Sequence, residues 1–84
     1  MRLDKFLKVS RLIKRRPIAK EICDNGHILI NGRVGKAGSE VKENDILELH
    51  LGSKIIKAKI LKVMEYAKKE DADSMFEILE NTNA

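Results

Sequence analysis

The sequence predicts an α+β fold in which two N-terminal helices pack on a small antiparallel sheet, followed by a C-terminal helix. Three observations support it: apolar residues recur at helical spacing near the N-terminus, the spacing changes to strict alternation after His27, and glycine-containing turn signals separate the alternating segments. A chain of 84 residues has room for one domain, which we assign to residues 1–84.

Apolar spacing predicts the first helix over residues 3–13. The residues on its apolar face are Leu3, Phe6, Leu7, Ser10 and Ile13. Pro17 has no backbone N–H and therefore suits the first turn of a helix, while it disfavours helical backbone at the residue before it. We therefore expect the first helix to end near Arg16 and a second helix to begin at Pro17.

The second helix is predicted over residues 17–24, with Asn25–Gly26 as a left-handed C-terminal signal. Its predicted buried residues are Ile18, Ala19, Ile22 and Cys23. The first strand then places Ile28 and Ile30 on one face and turns at Asn31–Gly32 into a second strand.

Two longer strands follow an irregular stretch. The inward residues of the third are predicted to be Leu47, Leu49 and Leu51, and those of the fourth, over residues 54–63, are Ile56, Ala58, Ile60 and Lys62. Asp71 and Asp73 mark the start of a final helix. Its predicted apolar stripe is Ala72, Met75, Phe76 and Leu79.

Positive charge is concentrated at the N-terminus. Residues 1–20 carry eight cations and one acid, giving +7, whereas residues 21–84 carry nine cations and twelve acids, giving −3. On the first helix Lys8, Arg11 and Arg15 cluster opposite the apolar face, with Lys5 beside them. This asymmetry predicts a polyanionic partner for the N-terminal region.

Arginines and lysines from two joined helices suit nucleic acid, because phosphates are regularly spaced anions and a helix N-terminus adds free N–H groups. Duplex DNA is disfavoured because the second helix is short and exposes a poor base-reading set, Lys20, Glu21 and Asp24. A structured RNA fits better.

No catalytic, metal or cofactor site is predicted. His27 and His50 have no third ligand at metal spacing. Cys23 is expected in the core, and as the only cysteine it forms no intrachain disulfide. Ser10 and Ser39 have no histidine base at a fixed local spacing. The N-terminus has no signal-peptide pattern and no apolar run is long enough to span a membrane, so a cytoplasmic protein is expected.

The segment from Arg2 to Val34, with "NDILEL" after it, resembles the RNA-binding domain first defined in ribosomal small-subunit protein four, the S-four domain. That pattern reads R-L-D-x-x-L, S/T-R-x-x-A, an apolar pair, G-x-V-x-V-N-G and G-D-x-I, and it spans residues 2–51 here, leaving 54–80 as a C-terminal strand and helix. The matching residues are Arg2, Leu3, Asp4, Leu7, Arg16, Ala19, Ile22, Cys23, Gly26, Ile28, Ile30, Asn31, Gly32, Asp45 and Leu47. Two positions depart from it: Arg15 replaces the capping Ser/Thr, and Asn44 replaces a turn glycine.

Within that family the chain resembles small bacterial ribosome-associated members, and the quality control type more than the heat-shock type. The resemblance implies a non-enzymatic, monomeric factor that binds large-subunit rRNA and P-site peptidyl-tRNA. It also implies support for C-terminal tailing of stalled nascent chains with a tRNA-recruiting partner protein. The RNA-binding residues would be Arg2, Lys5, Lys8, Arg11, Lys14, Arg15, Arg16 and Lys20, with Asp4 orienting a neighbouring arginine.

Three alternatives stay open from the sequence. The chain could be a heat-shock-type recycling factor for stalled peptidyl-tRNA, or a protein adaptor whose basic face binds an acidic partner. It could also be an RNA-reading module detached from a modifying enzyme such as a pseudouridine synthase, although the initial Met and the lack of a linker argue against this.

Overall fold

The computed structural model describes residues 1–83 and has the predicted α+β architecture. The helices are α1 (Leu3–Val9), α2 (Arg16–Asp24) and α3 (Lys69–Ala72). The strands are β1 (Ile28–Ile30), β2 (Arg33–Val34), β3 (Ile46–Leu51), β4 (Lys54–Ile60) and β5 (Phe76–Asn83). Every strand pair is antiparallel, in the order β2-β1-β3-β4-β5.

The hydrophobic core lies between α1, α2 and one face of the sheet. Its largest fully buried side chains include Phe6, Leu3 and Leu7 from α1, which lie in one cluster with the inward residues of β1, β3 and β4. Those inward strand residues are Ile28, Leu47, Leu49 and Ile60. The alternation seen in the sequence therefore gives the correct inward face of the sheet.

The β1–β2 turn forms at Asn31–Gly32 as predicted. Both residues have positive φ, 52° and 84°, as a type I′ turn requires. The Asn31 side chain also ties the hairpin to β3: its Nδ2 donates to Asp45 Oδ1 at 3.0 Å and its Oδ1 accepts from the Ile46 N–H at 2.9 Å. Asn44 has φ 74°, so the residue in place of the expected glycine adopts the left-handed turn conformation, which asparagine tolerates.

The first helix is shorter than predicted, because α1 ends at Val9 and not near Arg16. Its C-cap is Ser10, and Arg11 then takes a left-handed conformation with φ 64°. The reversal lets Ile13 return to the core, where it is buried, and its N–H donates to the Leu7 carbonyl at 3.1 Å. Burial of Ile13 was thus predicted correctly, but a turn and not a continuing helix achieves it.

The second helix matches its prediction closely. Pro17 lies in its first turn, Asn25 caps its C-terminus, and Gly26 has φ 81°. Ala19 and Cys23 are fully buried, as expected. Ile18 is 45% exposed, so the prediction of its burial was wrong.

The C-terminal region corrects the largest error in the sequence analysis. The last helix covers only Lys69–Ala72, and Phe76–Asn83 forms β5 instead of extending it. β5 pairs along β4, with a bulge at Lys57/Ala58, and so satisfies backbone groups that an edge strand would expose. Leu79 is 46% exposed and forms no helical stripe, while β4 itself ends at Ile60 and leaves Lys62 exposed.

Candidate nucleic-acid interface

α1, α2 and the joint between them (residues 10–15) carry the cations of the first twenty residues to the surface. All eight are accessible: Lys5 is half-buried and the other seven are exposed. The eight are Arg2, Lys5, Lys8, Arg11, Lys14, Arg15, Arg16 and Lys20. We call this set the N-terminal cationic face.

Asp4 is the only acid among the first twenty residues, and it is buried with 2% exposure. Its Oδ1 accepts from the Lys5 backbone N–H at 2.9 Å and from Arg2 Nε at 3.1 Å. Its Oδ2 accepts from Arg2 Nη2 at 3.4 Å and from Arg16 Nε at 3.5 Å. One fixed carboxylate therefore holds two arginines that are far apart in the sequence.

Both arginines keep part of their guanidinium groups free for a ligand. The side chains of Arg2 and Arg16 are 51% and 47% exposed, whereas that of Asp4 is 3% exposed. Each guanidinium has five N–H donors, and Asp4 accepts from two of Arg2 and one of Arg16, which leaves the others available to a ligand. The arrangement matches bidentate contact with phosphate or ribose oxygens.

The joint is held by backbone contacts. The Arg11 N–H donates to the Lys8 carbonyl at 3.1 Å, and Ser10 Oγ, which is buried, contacts the Leu7 carbonyl at 3.3 Å. A non-glycine residue in the left-handed region costs roughly 1–2 kcal/mol. Such strain is typical of positions where the backbone is held for a functional purpose, and here it directs an arginine to the surface.

Arg15 is the N-cap of α2, and its side chain makes no capping hydrogen bond. The structure thus agrees with the sequence comparison, which placed Arg15 where a capping Ser or Thr is usual. Arg16 is the first residue of α2, so the N–H groups of the first turn, which lack intrahelical partners, lie next to it in the chain. They add hydrogen-bond donors and a positive dipole end to the cationic face.

Three depressions divide the cationic face, and Arg16 borders two of them. One lies beside Arg2, Asp4, Arg16, Pro17 and Lys20. A second contains Lys5, Lys8, Val9, Arg11, Arg16, Glu65, Tyr66 and Ala67, and a third contains Lys8, Arg11, Lys14 and Lys69. The structure thus brings together every predicted site residue except Arg15, which borders none of the three.

Four residues of this surface, Glu65, Tyr66, Ala67 and Lys69, were not predicted from the sequence. Glu65 contacts Lys5 Nζ, and this hydrogen bond together with the Lys5 charge lowers the pKa of the Glu65 carboxyl. Tyr66 is 88% exposed. The segment between β4 and α3 has no regular secondary structure, so periodicity gave no sign that it returns to α1. The available signal was compositional, since Tyr66 is the only tyrosine of the chain.

Cys23, His50 and Ser39, which the sequence did not favour as catalytic residues, are buried or bonded to neighbouring groups. Cys23 is fully buried, and desolvation with the nearby charges of Asp4 and Asp24 raises its pKa to about 11. His50 Nε2 lies 2.9 Å from Glu48 Oε1, and Ser39 Oγ accepts from the Lys36 N–H at 2.8 Å. Residues 1–83 contain no cluster of three His, Cys, Asp or Glu side chains arranged to hold a metal ion.

None of the helices described over residues 1–83 combines the length and the apolar character that crossing a bilayer requires.

Comparison with known proteins identifies the family from the segment that builds this face. The S4 domain family matches residues 1–47, which include α1, the joint, α2 and the first hairpin. The chain belongs to the S4 domain family. The resemblance found in the sequence is therefore confirmed, and it extends through the helices that carry Asp4 and Arg16.

Relatives with similarity over nearly the whole chain share one name. A protein of Halalkalibacterium halodurans called "RQC P-site tRNA stabilizing factor" is 54% identical over 93% of this chain and 89% of its own length. Proteins of the same name in Streptococcus pneumoniae and Bacillus subtilis are 49% and 52% identical, over 98% and 94% of this chain and 93% and 92% of their own lengths.

Two solved structures have the same fold. The trimeric structure of Vibrio cholerae Heat Shock Protein 15 superposes with a TM-score of 0.85 at 24% identity, covering 93% of this chain and 80% of that one. The solution structure of the hypothetical protein HP1423 gives a TM-score of 0.81 at 33% identity, covering 95% and 98%. At 24% identity the first comparison supports the fold alone.

Proposed function

We propose that this chain is a non-enzymatic RNA-binding factor that stabilises P-site tRNA on the large ribosomal subunit during ribosome-associated quality control. The observation that carries the proposal is the buried Asp4 carboxylate, which orients Arg2 and Arg16 within a surface of eight cations. Relatives about half identical over almost the full chain bear the name of such a factor.

The cationic face would bind RNA through its sugar-phosphate backbone. Arg2 and Arg16 are held before RNA arrives, so they lose less side-chain freedom on binding than free arginines would. The N–H groups at the start of α2 would contact a phosphate beside them. The proposed contact residues are Arg2, Lys5, Lys8, Arg11, Lys14, Arg15, Arg16 and Lys20, with Asp4 as the positioning residue.

During ribosome-associated quality control, a small protein that binds both rRNA and tRNA would lengthen the time that a peptidyl-tRNA stays in the P site. That would support C-terminal tailing of a stalled nascent chain, with a separate tRNA-recruiting protein delivering each new tRNA. We expect the chain to act as a monomer in the cytoplasm, and its residues 1–84 to fold as one RNA-binding domain.

The salt dependence of binding tests the electrostatic part of this proposal. If about five phosphates are neutralised, the logarithm of the affinity for large subunits falls with the logarithm of salt concentration at a slope of roughly −4. A slope near zero would exclude phosphate binding by this face. If complexes survive RNase treatment intact, the partner is a protein, and the cationic face is an adaptor surface.

Arg16→Ala tests the site itself. Asp4 keeps its bonds to Arg2 and to the Lys5 N–H in this variant, so we expect the melting temperature to fall by no more than a few degrees. Sucrose-gradient sedimentation with large subunits that carry peptidyl-tRNA is expected to show weaker association. Arg33→Ala removes the same charge from the exposed strand β2 and serves as the matched control. Equal loss in both variants would mean that only total charge matters.

A further inference from the structure

The second depression on the cationic face contains features that phosphate binding alone does not require. Its border carries four cations, Lys5, Lys8, Arg11 and Arg16, and one acid, Glu65, which contacts Lys5 and leaves the other three cations for a ligand. The rest of the lining is Tyr66, Ala67 and the half-buried Val9. Its volume of about 360 Å³ is at the lower end of the range for ligand pockets, roughly 300–1,000 Å³. An apolar slot bordered by cations matches a flat ring that is linked to an anion.

The segment that carries Tyr66 is fastened on both sides of it. Glu65 contacts Lys5 on α1, and Met64 and Ala67 pack against the hydrophobic core. Near the start of the same segment, the N–H groups of Leu61 and Lys62 donate to the Met75 carbonyl at 2.8 and 3.2 Å. The backbone at Tyr66 is therefore held in place, while the residue as a whole is 88% exposed. A fixed backbone with a free aromatic ring is suited to stacking.

Among RNA ligands, an unpaired nucleotide fits this slot and a continuous duplex does not. Bases within an A-form helix are already stacked on each other and offer only their edges and backbone to a protein. A single-stranded or bulged base has a free face that stacks on an aromatic side chain, while its phosphate contacts nearby lysine or arginine.

We propose that this depression binds one unpaired RNA nucleotide, with its base stacked on Tyr66 against Val9 and its phosphate contacting Lys8 and Arg11. The inference rests on the proposed RNA-binding function and adds a specificity to it, since the rest of the cationic face contacts only backbone. The site selects RNA that has an exposed base at this position over RNA that is fully paired.

Tyrosine fluorescence gives a direct test, because the chain has one tyrosine and no tryptophan. The probes are a short single-stranded oligoadenylate and a fully paired RNA duplex of equal length. We expect oligoadenylate to quench the emission of Tyr66 saturably and the duplex to quench it much less. Saturable quenching by polyglutamate as strong as that by oligoadenylate would overturn the proposal, because the slot would then bind any polyanion, including an acidic protein.

Variants of Tyr66 separate stacking from other roles. Because they lack the only tyrosine, their affinity and that of the wild type are compared by fluorescence anisotropy of labelled oligoadenylate. Tyr66→Ala is expected to bind oligoadenylate about tenfold more weakly, with the slope of log affinity against log salt unchanged, because stacking releases no counterions. Tyr66→Phe retains the ring and is expected to bind within about twofold of the wild type. The melting temperature of both is expected to match the wild type, because the ring makes little contact with the core.

Different outcomes separate this inference from the function on which it rests. If Tyr66→Ala binds oligoadenylate as tightly as the wild type does, the stacking site is refuted while RNA binding stands. If Tyr66→Phe loses as much affinity as Tyr66→Ala, the hydroxyl group and not stacking makes the contact, and the proposal fails. If the wild type binds neither RNA probe, the proposed function and the stacking site fail together.

Discussion

Replacing Asp4 by asparagine gives opposite predictions for two models of the cationic face. If the face works only through its positive potential, removing the negative charge of Asp4 strengthens RNA binding. If it works by orienting Arg2 and Arg16, the same substitution weakens binding, because the carboxylate that holds them is lost. The structure favours the second model, since Asp4 is buried and bonds to both guanidinium groups.

The magnitude follows from which bonds asparagine keeps. Its side-chain oxygen at the Oδ1 position still accepts from the Lys5 N–H and from Arg2 Nε. Its amide nitrogen at the Oδ2 position faces Arg2 Nη2 and Arg16 Nε, where one donor meets another. Losing hydrogen bonds to a buried charged group costs about 1–3 kcal/mol of folding free energy. For 84 residues that lowers the melting temperature by roughly 4–20 °C.

RNA affinity is expected to fall as well. Each arginine released from Asp4 must be immobilised again on binding, at about 0.5–1.5 kcal/mol per side chain. Arg16 loses its only bond to residue 4, whereas Arg2 keeps the bond from its Nε. One released side chain therefore weakens binding by about 0.5–1.5 kcal/mol, which is roughly 2- to 12-fold. Binding is measured by fluorescence anisotropy with a labelled rRNA fragment, well below the melting temperature of the variant.

The control is Glu21→Gln, which removes the same charge from the exposed face of α2. No side-chain hydrogen bond of Glu21 is found within residues 1–83, so this variant changes charge alone. It is expected to bind RNA slightly more tightly than the wild type. If Asp4→Asn also binds more tightly, orientation of the arginines is unimportant and the reasoning is wrong.

Three further predictions concern the joint, the core and the hairpin. Arg11→Gly relieves the strain of the left-handed backbone at φ 64° but increases the conformational entropy of the unfolded chain. We therefore expect the free energy of unfolding, measured by thermal denaturation, to rise by about 0.5–1 kcal/mol. In Arg11→Gly the slope of log affinity for RNA against log salt concentration should become shallower by about one. Arg11→Ala should change this slope by the same amount but should not gain stability. Because the folded-state pKa of Cys23 is about 11 against an ordinary 9.0, the unfolded chain loses its thiol proton first as pH rises. The free energy of unfolding should therefore fall as pH rises from 9.0 to about 11. Urea unfolding of Cys23→Ala over the same pH range should show a smaller fall. Asn31→Ala removes bonds to Asp45 and Ile46 and keeps a positive φ, so it should cost about 2–4 kcal/mol in urea unfolding without altering the salt slope.

The parts of the fold that the sequence predicts well are those where local and tertiary preferences agree. Pro17 and Gly26 mark the ends of α2 by backbone chemistry alone, and the Asn31–Gly32 turn forces positive φ values. In β3, Leu47 and Leu49 alternate with polar residues and have only one face that can be buried. At each of these places the local residues favour the same conformation that the tertiary structure requires.

The errors lie where two conformations satisfy the same pattern. Residues 72–79 have apolar spacing that fits a helical stripe, but Phe76 and Ile78 also fit a strand. The choice is made by the open edge of β4, which is a tertiary feature and invisible to a local window. The end of α1 is similar, because Ile13 reaches the core either by continuing the helix or by reversing at Arg11.

The site shows the same division. Clustering of charge predicted the cationic face, since eight cations near the N-terminus have few places to go except the surface. The contact between Asp4 and Arg16 spans twelve residues and depends on how the joint turns, so spacing alone could not give it. Tyr66 lies farther still from α1 in the chain and reaches the face only through the loop after β4.

The left-handed joint and the buried carboxylate together explain why this small chain can hold charge in a fixed arrangement. Eight neighbouring cations repel each other, and on a flexible segment they would spread apart. Here Ile13 fastens the joint in the core, and Asp4 offsets part of the charge at the point where α1 meets α2. The repulsion that remains is unfavourable in the free protein and is relieved when phosphates bind. RNA binding is therefore expected to stabilise the N-terminal helices more than the β3–β4 hairpin, and hydrogen exchange with and without RNA would show it. If RNA increased protection from hydrogen exchange equally throughout the chain, repulsion within the cationic face would not destabilise the free protein.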